Sequence, residues 1–405
     1  MNILFLTIGL LDSIRQHGVY PDLLRRFIEK GHNVFAVCSR EKRFGLPTDL
    51  IDEGNAKLLK VRIGNITKTN FIEKGISTLL IEKQYIAAIK KYFSKVKFDL
   101  IIYTTPPITL VGVIEYIKKR DAAMTYLMLK DIFPQNAIDL GIMSVSGFRG
   151  FVYRYFRKIE KRLYYVSDYI GCMSDANIDY IITNNPWINK QKIELCPNCT
   201  DAINMTLSLE EKLELRKHYN LPFDKKVFVY GGNLGKPQGI PFIIECLKLV
   251  ANLDAFFFIV GNGTDYYLLE DFVKTEKPKN IRILRSLPKP EYDRMIAACD
   301  IGLIFLEHRF TIPNFPSRLL DYMQAELPVL ACTDKYTDVG KVIVNGDFGW
   351  WCESDSPEKF YELVKQLISS DFTYKGKKAK DYLLKYYPVE KAYLAIEKHL
   401  NKLNY

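Results

Sequence analysis

The sequence predicts an α/β protein of two doubly wound domains, each built on a parallel sheet. Three observations carry this expectation. Short apolar runs of strand length alternate along almost the whole chain with longer segments of helical apolar spacing, the pattern of repeated βαβ units. Several of those runs end in loops rich in Gly, Pro, Thr or Asp, and such loops lie at the carboxyl edge of a parallel sheet, where ligands of open α/β folds bind. The 405 residues, 48% hydrophobic and 26% charged, suffice for two domains with full cores.

The first half opens as a βαβ unit. Asn2 to Ile8 is an apolar strand, Gly9 to Gly18 a polar loop, Val19 to Lys30 an amphipathic helix, and Gly31-His32-Asn33 turns into strand Val34 to Cys38. Arg15, His17 and Gly18 therefore sit in a strand-end loop, as ligand candidates. Arg40 to Arg62 is charged and turn-rich, and Asn70 to Lys95 reads as a long helix with basic residues among apolar ones. Strand Leu100 to Tyr103 ends in Thr104-Thr105-Pro106-Pro107, helix Thr109 to Lys119 follows, and strand Met124 to Leu129 leads into Lys130-Asp131. Asp131 is either a cleft carboxylate or a cap for its own turn. Phe148 to Tyr165 holds six basic and seven aromatic residues in eighteen positions. This suits either an anionic lipid surface or a solvated basic face over an aromatic core. Strand Asp168 to Cys172, helix Asp175 to Asn184 and strand Ile193 to Cys196 close a first domain over 1–200, and Thr200 to Ser208 reads as the linker.

The second domain, expected over 201–385, starts with helix Leu209 to Tyr219. Strand Val227 to Tyr230, the Gly-rich stretch Gly231 to Gly239 and helix Ile240 to Val250 form a strand, loop and helix unit. Glycines there let backbone amides approach a phosphate and Lys236 adds charge, although the pattern is neither a dinucleotide fingerprint nor a P-loop. Strand Ala255 to Val260 leads to Gly261-Asn262-Gly263-Thr264 and helix Asp265 to Lys274; strand Ile281 to Leu284 leads to Arg285-Ser286-Leu287-Pro288 and helix Glu291 to Ala298. Strand Ile301 to Leu306 feeds Glu307-His308-Arg309 and then a helix from Pro316 and Ser317 to Leu327, ended by Pro328. Ser317, Arg318 and Asp321 share its first turns, where unpaired N–H groups, the helix dipole and the guanidinium would hold a phosphate or diphosphate and Asp321 a diol. A Ser and an Asp at a helix start also occur for stability alone. Strand Val329 to Cys332, a helix near Val339, a turn at Gly346 to Gly349 and helix Glu358 to Ile368 complete the alternation. Tyr386 to Leu403 is the last helix.

These segments together resemble the GT-B glycosyltransferases of family 4, along almost the whole chain. The likeness is to the bacterial branch that builds capsule, O-antigen and exopolysaccharide repeat units. That branch has a Ser-Gly-Asn-x-Gly-x-x-Gln-Gly loop, matched by Gly231 to Gly239. Its Pro-Ser-Lys-x-x-Glu-Tyr helix is matched from Pro316 and its Arg-Asp-x-x-Pro-x-x-Ala segment from Lys130. The resemblance implies two Rossmann-like domains facing a central cleft, with the helix from 386–405 crossing back onto the first. It implies a retaining, metal-independent sugar transfer from a nucleotide sugar, most simply UDP-linked, to a glycan acceptor carried on polyprenyl diphosphate. Gly232, Asn233, Gly235, Gln238, Gly261, Asn262, Arg285, Leu287, Pro316, Ser317 and Asp321 would bind the donor. Arg15, His17 and Gly18 would face the acceptor, and Asp131, Arg318 and Lys236 would serve the chemistry. No metal or cofactor is expected.

The departures matter as much. Many family members carry Glu-x7-Glu; counting back from Asp321 puts Pro313 in the first slot, so the first carboxylate is missing and the second is an Asp. Asn233 and Gln238 stand in slots that are Arg and Lys in the wider family, leaving diphosphate charge to Arg318, Lys236 and helix amides.

Composition bounds the rest. A net charge of +10 asks for an acidic partner, and no nucleic-acid motif is present, which leaves phosphorylated substrates and an anionic membrane surface. The absence of a long apolar run or a secretory start implies a cytoplasmic protein, and the basic aromatic segment Phe148 to Tyr165 would rest it on the inner face of the cell membrane. Cys196-Pro-Asn-Cys199 lacks a second pair and reads as structural, not as zinc ligands. Two other functions stay open. A sugar-nucleotide 2-epimerase of this fold would need cleft acids and histidines that five histidines do not supply, and a binding module without chemistry would fit the missing Glu at 313.

Overall fold

The computed structural model describes residues 1–67, 69 and 71–400. It divides into two compact units, Met1–Asp201 joined by the chain from Pro388 onward, and Ala202–Tyr387. The first runs β1 (Asn2–Leu6), α1 (Val19–Glu29), β2 (Asn33–Glu41), β3 (Asp49–Asp52), β4 (Ala56–Ile63), α2 (Phe71–Tyr92), β5 (Leu100–Thr104), α3 (Val111–Asp121), β6 (Met124–Leu129), α4 (Gln135–Asp139), α5 (Gly147–Val166), β7 (Tyr169–Cys172), α6 (Asp175–Asn184) and β8 (Ile193–Leu195). The second runs α7 (Leu209–His218), β9 (Lys226–Asn233), α8 (Ile240–Val250), β10 (Ala255–Asn262), α9 (Tyr266–Glu276), β11 (Ile281–Leu284), α10 (Lys289–Ala297), β12 (Ile301–Phe305), α11 (Arg318–Gln324), β13 (Val329–Thr333), α12 (Val339–Asn345), β14 (Gly349–Glu353), α13 (Pro357–Ile368) and α14 (Thr373–Tyr386). Helix α15 (Val389–Leu400) belongs to the first unit again.

The second sheet has the order β11-β10-β9-β12-β13-β14 and is parallel throughout. The first has the order β3-β4-β2-β1-β5-β6-β7-β8 and is parallel except at its edge, where β3 pairs antiparallel with β4. Central strands such as β5, β6 and β12 are buried at every residue, because helices cover both faces. The core of the first unit gathers Phe5, Leu24, Phe27, Ile102 and Ile396, and that of the second Phe228, Phe257, Ile259, Phe305 and Phe360.

Three expectations needed correction. The stretch 40–62 is not merely turn-rich but carries the end of β2, all of β3 and all but the last residue of β4. Lysines obscured that pattern, yet Lys60 lies buried on β4 with its ammonium donating to the Asp12 carbonyl at 3.0 Å. The helix expected from Tyr386 to Leu403 starts only at Val389, as α15, and the helix before it, α14, was not anticipated. Pro388 cannot continue a helix, so α14 ends at Tyr386 on the second unit while α15 packs on α1, Phe27 and Tyr393 meeting at 4.9 Å. The third correction is β14, which follows the turn at Gly346. Asn70 and residues 401–403 of the expected helices lie outside the described residues, as do the side chains of Phe148 and Arg149.

Candidate functional site

The carboxyl edge of the second sheet brings the two Gly-rich loops together. Strand β9 continues through Gly231, Gly232 and Asn233, and pairs there with Gly261 and Asn262 of β10. The approach is backbone to backbone: a Cβ on Gly261 would stand 1.9 Å from the Gly232 carbonyl oxygen, and one on Gly263 2.1 Å from that of Leu234. Gly232 has φ 120, a conformation glycine supplies without strain. The expected turn at Gly231 thus begins as strand and only then tightens into a 3-10 turn at Lys236–Gln238. Lys236 is exposed. Gln238, expected to face a donor, is buried and turned into the loop, its Oε1 accepting from Asn233 Nδ2 at 2.9 Å and the Gly235 amide at 3.3 Å. A buried amide side chain satisfies its neighbours first. Asn262 is likewise engaged, donating to Ser286 Oγ at 2.6 Å and accepting from Arg285 at 3.3 Å, while the Arg285 guanidinium lies over the Tyr266 ring at 4.3 Å. Leu287 is half-buried beside them in sequence.

Arg318 stands against this loop. Its guanidinium carbon is 4.3 Å from the Tyr230 ring centroid and 3.6 Å from where a Gly232 Cβ would be. Its Nη1 is buried and has no hydrogen-bond partner. The helix it begins is shorter than the spacing suggested. Helix α11 has seven residues, Ser317 is exposed and gives no side-chain cap, and Pro316 precedes it in irregular chain. Two prolines at 313 and 316 disfavour helix before them, and Asn314 is pinned elsewhere, its amide donating to Thr337 Oγ1 at 2.7 Å. Tyr322 on α11 anchors the assembly: its hydroxyl accepts from the Gly231 amide at 3.0 Å and reaches the Leu303 carbonyl at 3.1 Å. Gly302 makes room for that ring, since a Cβ there would lie 2.5 Å from it.

Two neighbours escaped the sequence reading. Lys289, at the start of α10, meets Asp321 at 3.0 Å and also pairs with Asp293. Its Pro-Lys-Pro setting after a strand-end loop was the available signal. Glu307, at the end of β12, is buried, accepts from Arg309 Nε at 2.8 Å and has His308 Nδ1 at 3.0 Å. Its amide donates to the Pro237 carbonyl at 3.0 Å, so it closes onto the Gly-rich loop.

In the first unit Asp131 follows β6. Its amide donates to Thr105 Oγ1 at 3.2 Å and its Oδ2 accepts from Asn136 at 2.7 Å. Burial pushes its carboxyl up to about 6, against the opposing pull of the Ile132 amide and Asn136. The acceptor candidates differ in what holds them. His17 has its Nδ1 3.2 Å from Asp22 and its Nε2 3.3 Å from Thr200 Oγ1, and the Gly18 amide donates to Asp22 at 3.1 Å. These two therefore fasten the loop to α1 and Thr200, and only Arg15 presents an exposed side chain. Asp22 is fully buried. Burial alone would raise its pKa, but hydrogen bonds from His17, the Asp201 amide and Thr200 outweigh it and hold the carboxyl at about 2.

Helix α5 buries Ile159, Leu163 and Tyr164. Its outward face carries Phe151, Arg154, Tyr155, Lys158, Lys161, Arg162 and Tyr165, so aromatic and basic groups share one exposed stripe. Arg157 is not part of it, being turned inward to Glu160 and to Asn185 Oδ1 at 2.6 Å. All eight cysteines are buried free thiols, and among the described residues no three His, Cys, Asp or Glu side chains converge as metal ligands.

Residues 211–382, which hold the Gly-rich loops and Arg318, match the family model described as Glycosyl transferases group 1. The second unit is a group 1 glycosyl transferase domain. Over 339 residues the chain is 23% identical to the probable glycosyltransferase WbjE of Pseudomonas aeruginosa, covering 82% of this chain and 80% of that one. It is 22% identical over 250 residues to the putative colanic acid biosynthesis glycosyl transferase WcaI of Escherichia coli, covering 61% and 60%. Among solved structures, sucrose-phosphate synthase of Thermosynechococcus elongatus superposes with TM-score 0.76 at 14% identity, covering 99% of this chain and 98% of that one. Anabaena HepE in complex with UDP-glucose superposes with TM-score 0.70 at 13% identity, covering 99% and 100%. The fold that carries the group 1 domain here is therefore GT-B.

Proposed function

We propose that the protein is a retaining, metal-independent glycosyltransferase that moves a sugar from a UDP-linked donor to a polyprenyl-diphosphate-linked glycan during bacterial surface polysaccharide synthesis. The observation that carries this reading is the Arg318 guanidinium, held over Tyr230 beside Gly232 with a buried, unpartnered Nη1. A buried N–H without an acceptor costs roughly 1–3 kcal/mol, so the site is organised for an anion that completes it. The Gly-rich loops supply the close backbone, Lys236 a second charge, and Asp321, oriented by Lys289, an acceptor for a diol. The departing diphosphate would be stabilised by these fixed charges, and in a same-face displacement its oxygen would help to take the acceptor hydroxyl proton. Asp131 would orient the acceptor or the donor sugar. The UDP-glucose complex of HepE and the colanic acid biosynthesis in the name of WcaI support the donor and the pathway.

The acceptor's lipid carrier would bring the enzyme to the inner face of the cell membrane. Among the described residues no helix is long and apolar enough to cross a membrane. The exposed stripe of α5 supports surface contact, and so do Ile76, Leu79 and Leu80, exposed on α2. The test is incubation with UDP-, GDP- and dTDP-sugars, with and without a polyprenyl-diphosphate sugar, while free nucleoside diphosphate is measured. Release that depends on acceptor is expected, with the donor's anomeric configuration kept in the product by NMR. No release from any donor that binds would leave the protein a binding module.

A further inference from the structure

We propose that the hollow between the end of α5, α3 and the segment carrying Trp187 binds the phosphate headgroup of an anionic glycerophospholipid. This rests on the reading of α5 as membrane-facing and adds to it a defined lipid contact. The hollow, about 320 Å³, is lined by Glu115, Lys158, Lys161, Arg162, Tyr165 and Trp187. Arg162 is neutralised by Glu115 at 2.6 Å, whereas Lys158 and Lys161 form no ion pair among the described residues. Two ammonium groups are thus left for an anion.

The walls select its source. Tyr165 is 81% and Trp187 44% exposed, large amphipathic rings that in water gain nothing from such exposure. At headgroup depth their rings meet the apolar boundary while the hydroxyl and indole N–H stay wet. A soluble phosphate would meet only flexible lysines there, with no gain from the rings. A lipid phosphate arrives together with the surface that buries them. The hollow also continues the outward stripe of α5, so Phe151 and Tyr155 would enter the same interface.

The experiment is sedimentation of the full chain with phosphatidylcholine vesicles, with and without phosphatidylglycerol. Wild type should partition onto the anionic vesicles only. Lys158→Gln with Lys161→Gln should weaken that partitioning by about 30-fold, from two basic residues near an anionic surface. Trp187→Ser with Tyr165→Ser should weaken it as clearly. Lys277→Gln with Lys279→Gln, exposed lysines of the other unit, removes the same charge and should change it far less. All the positions are exposed, and an unchanged Tm confirms that each variant folds. If wild type binds but the hollow variants match the control pair, the hollow is wrong and the membrane reading stands. If wild type binds neither vesicle, both fail. Saturable binding of inorganic phosphate or glycerol 1-phosphate at micromolar concentration without vesicles, lost in Lys158→Gln with Lys161→Gln but unchanged in Trp187→Ser with Tyr165→Ser, would assign the hollow to a soluble anion and overturn the lipid.

Discussion

Replacing Arg318 by Ala separates binding from folding at the proposed diphosphate grip. In the ligand-free protein the guanidinium gains a cation–π contact with Tyr230 at 4.3 Å, worth about 0.5–2 kcal/mol, but leaves Nη1 buried and unpartnered at a cost of about 1–3 kcal/mol. The two nearly cancel, so truncation should shift stability by about 1 kcal/mol or less, which for a unit of this size is under about 4 °C in Tm. With a nucleoside diphosphate bound, the orphan N–H and its partners form charge-assisted bonds. Losing them should cost about 1.5–3 kcal/mol, roughly 10- to 150-fold in Kd. Arg318→Lys should recover only part, because an ammonium keeps the charge and loses the planar fork that rests on Tyr230. Calorimetric titration with UDP beside a melt of the empty protein reads both quantities. Unchanged affinity, or a large fall in Tm without ligand, would refute the assignment and make Arg318 a packing residue.

Three further outcomes follow from the same geometry. Asp321→Asn should weaken donor binding measurably while acceptor binding and fold persist, since Lys289 keeps Asp293; unfolding would show that the carboxylate serves the helix start alone. Asp131 has its folded pKa raised from 3.8 to about 6, so its ionisation opposes folding: the stability of wild type should fall relative to Asp131→Asn as pH rises through that window, by about 3 kcal/mol at most. Chemical denaturation at pH 4 and 8 checks this, and an equal difference at both would discount the burial. Asp22 shifts the other way, from 3.8 to about 2, and contributes about 2 kcal/mol that is present at neutral pH and lost between those values; Asp22→Asn should remove it at pH 7, and acid titration of the variant should be flatter.

The sequence by itself determined the alternating architecture and most of the buried strands. Runs such as Leu100 to Tyr103 and Ile301 to Leu306 are apolar at every position, which a chain tolerates only inside a sheet covered on both faces. It also singled out candidate segments in the second unit, because glycines at 231, 232, 261 and 263 and the Pro-Ser-Arg start at 316 are local signals that do not need a partner to be read. Only the tertiary structure decided what those segments do to one another. That Arg318 rests on Tyr230, that Tyr322 accepts the Gly231 amide and that Lys289 holds Asp321 are contacts between residues 88, 91 and 32 positions apart. The partners of His17 are likewise distant or hidden: Thr200 lies 183 positions away, and Asp22 is drawn fully out of water between them. The charged strand β4 was hidden for the same reason: Lys60 looks like a surface residue until the Asp12 carbonyl comes within 3.0 Å. Periodicity reports which side of an element is dry, and it is silent on the polar partners that folding brings to a buried charge.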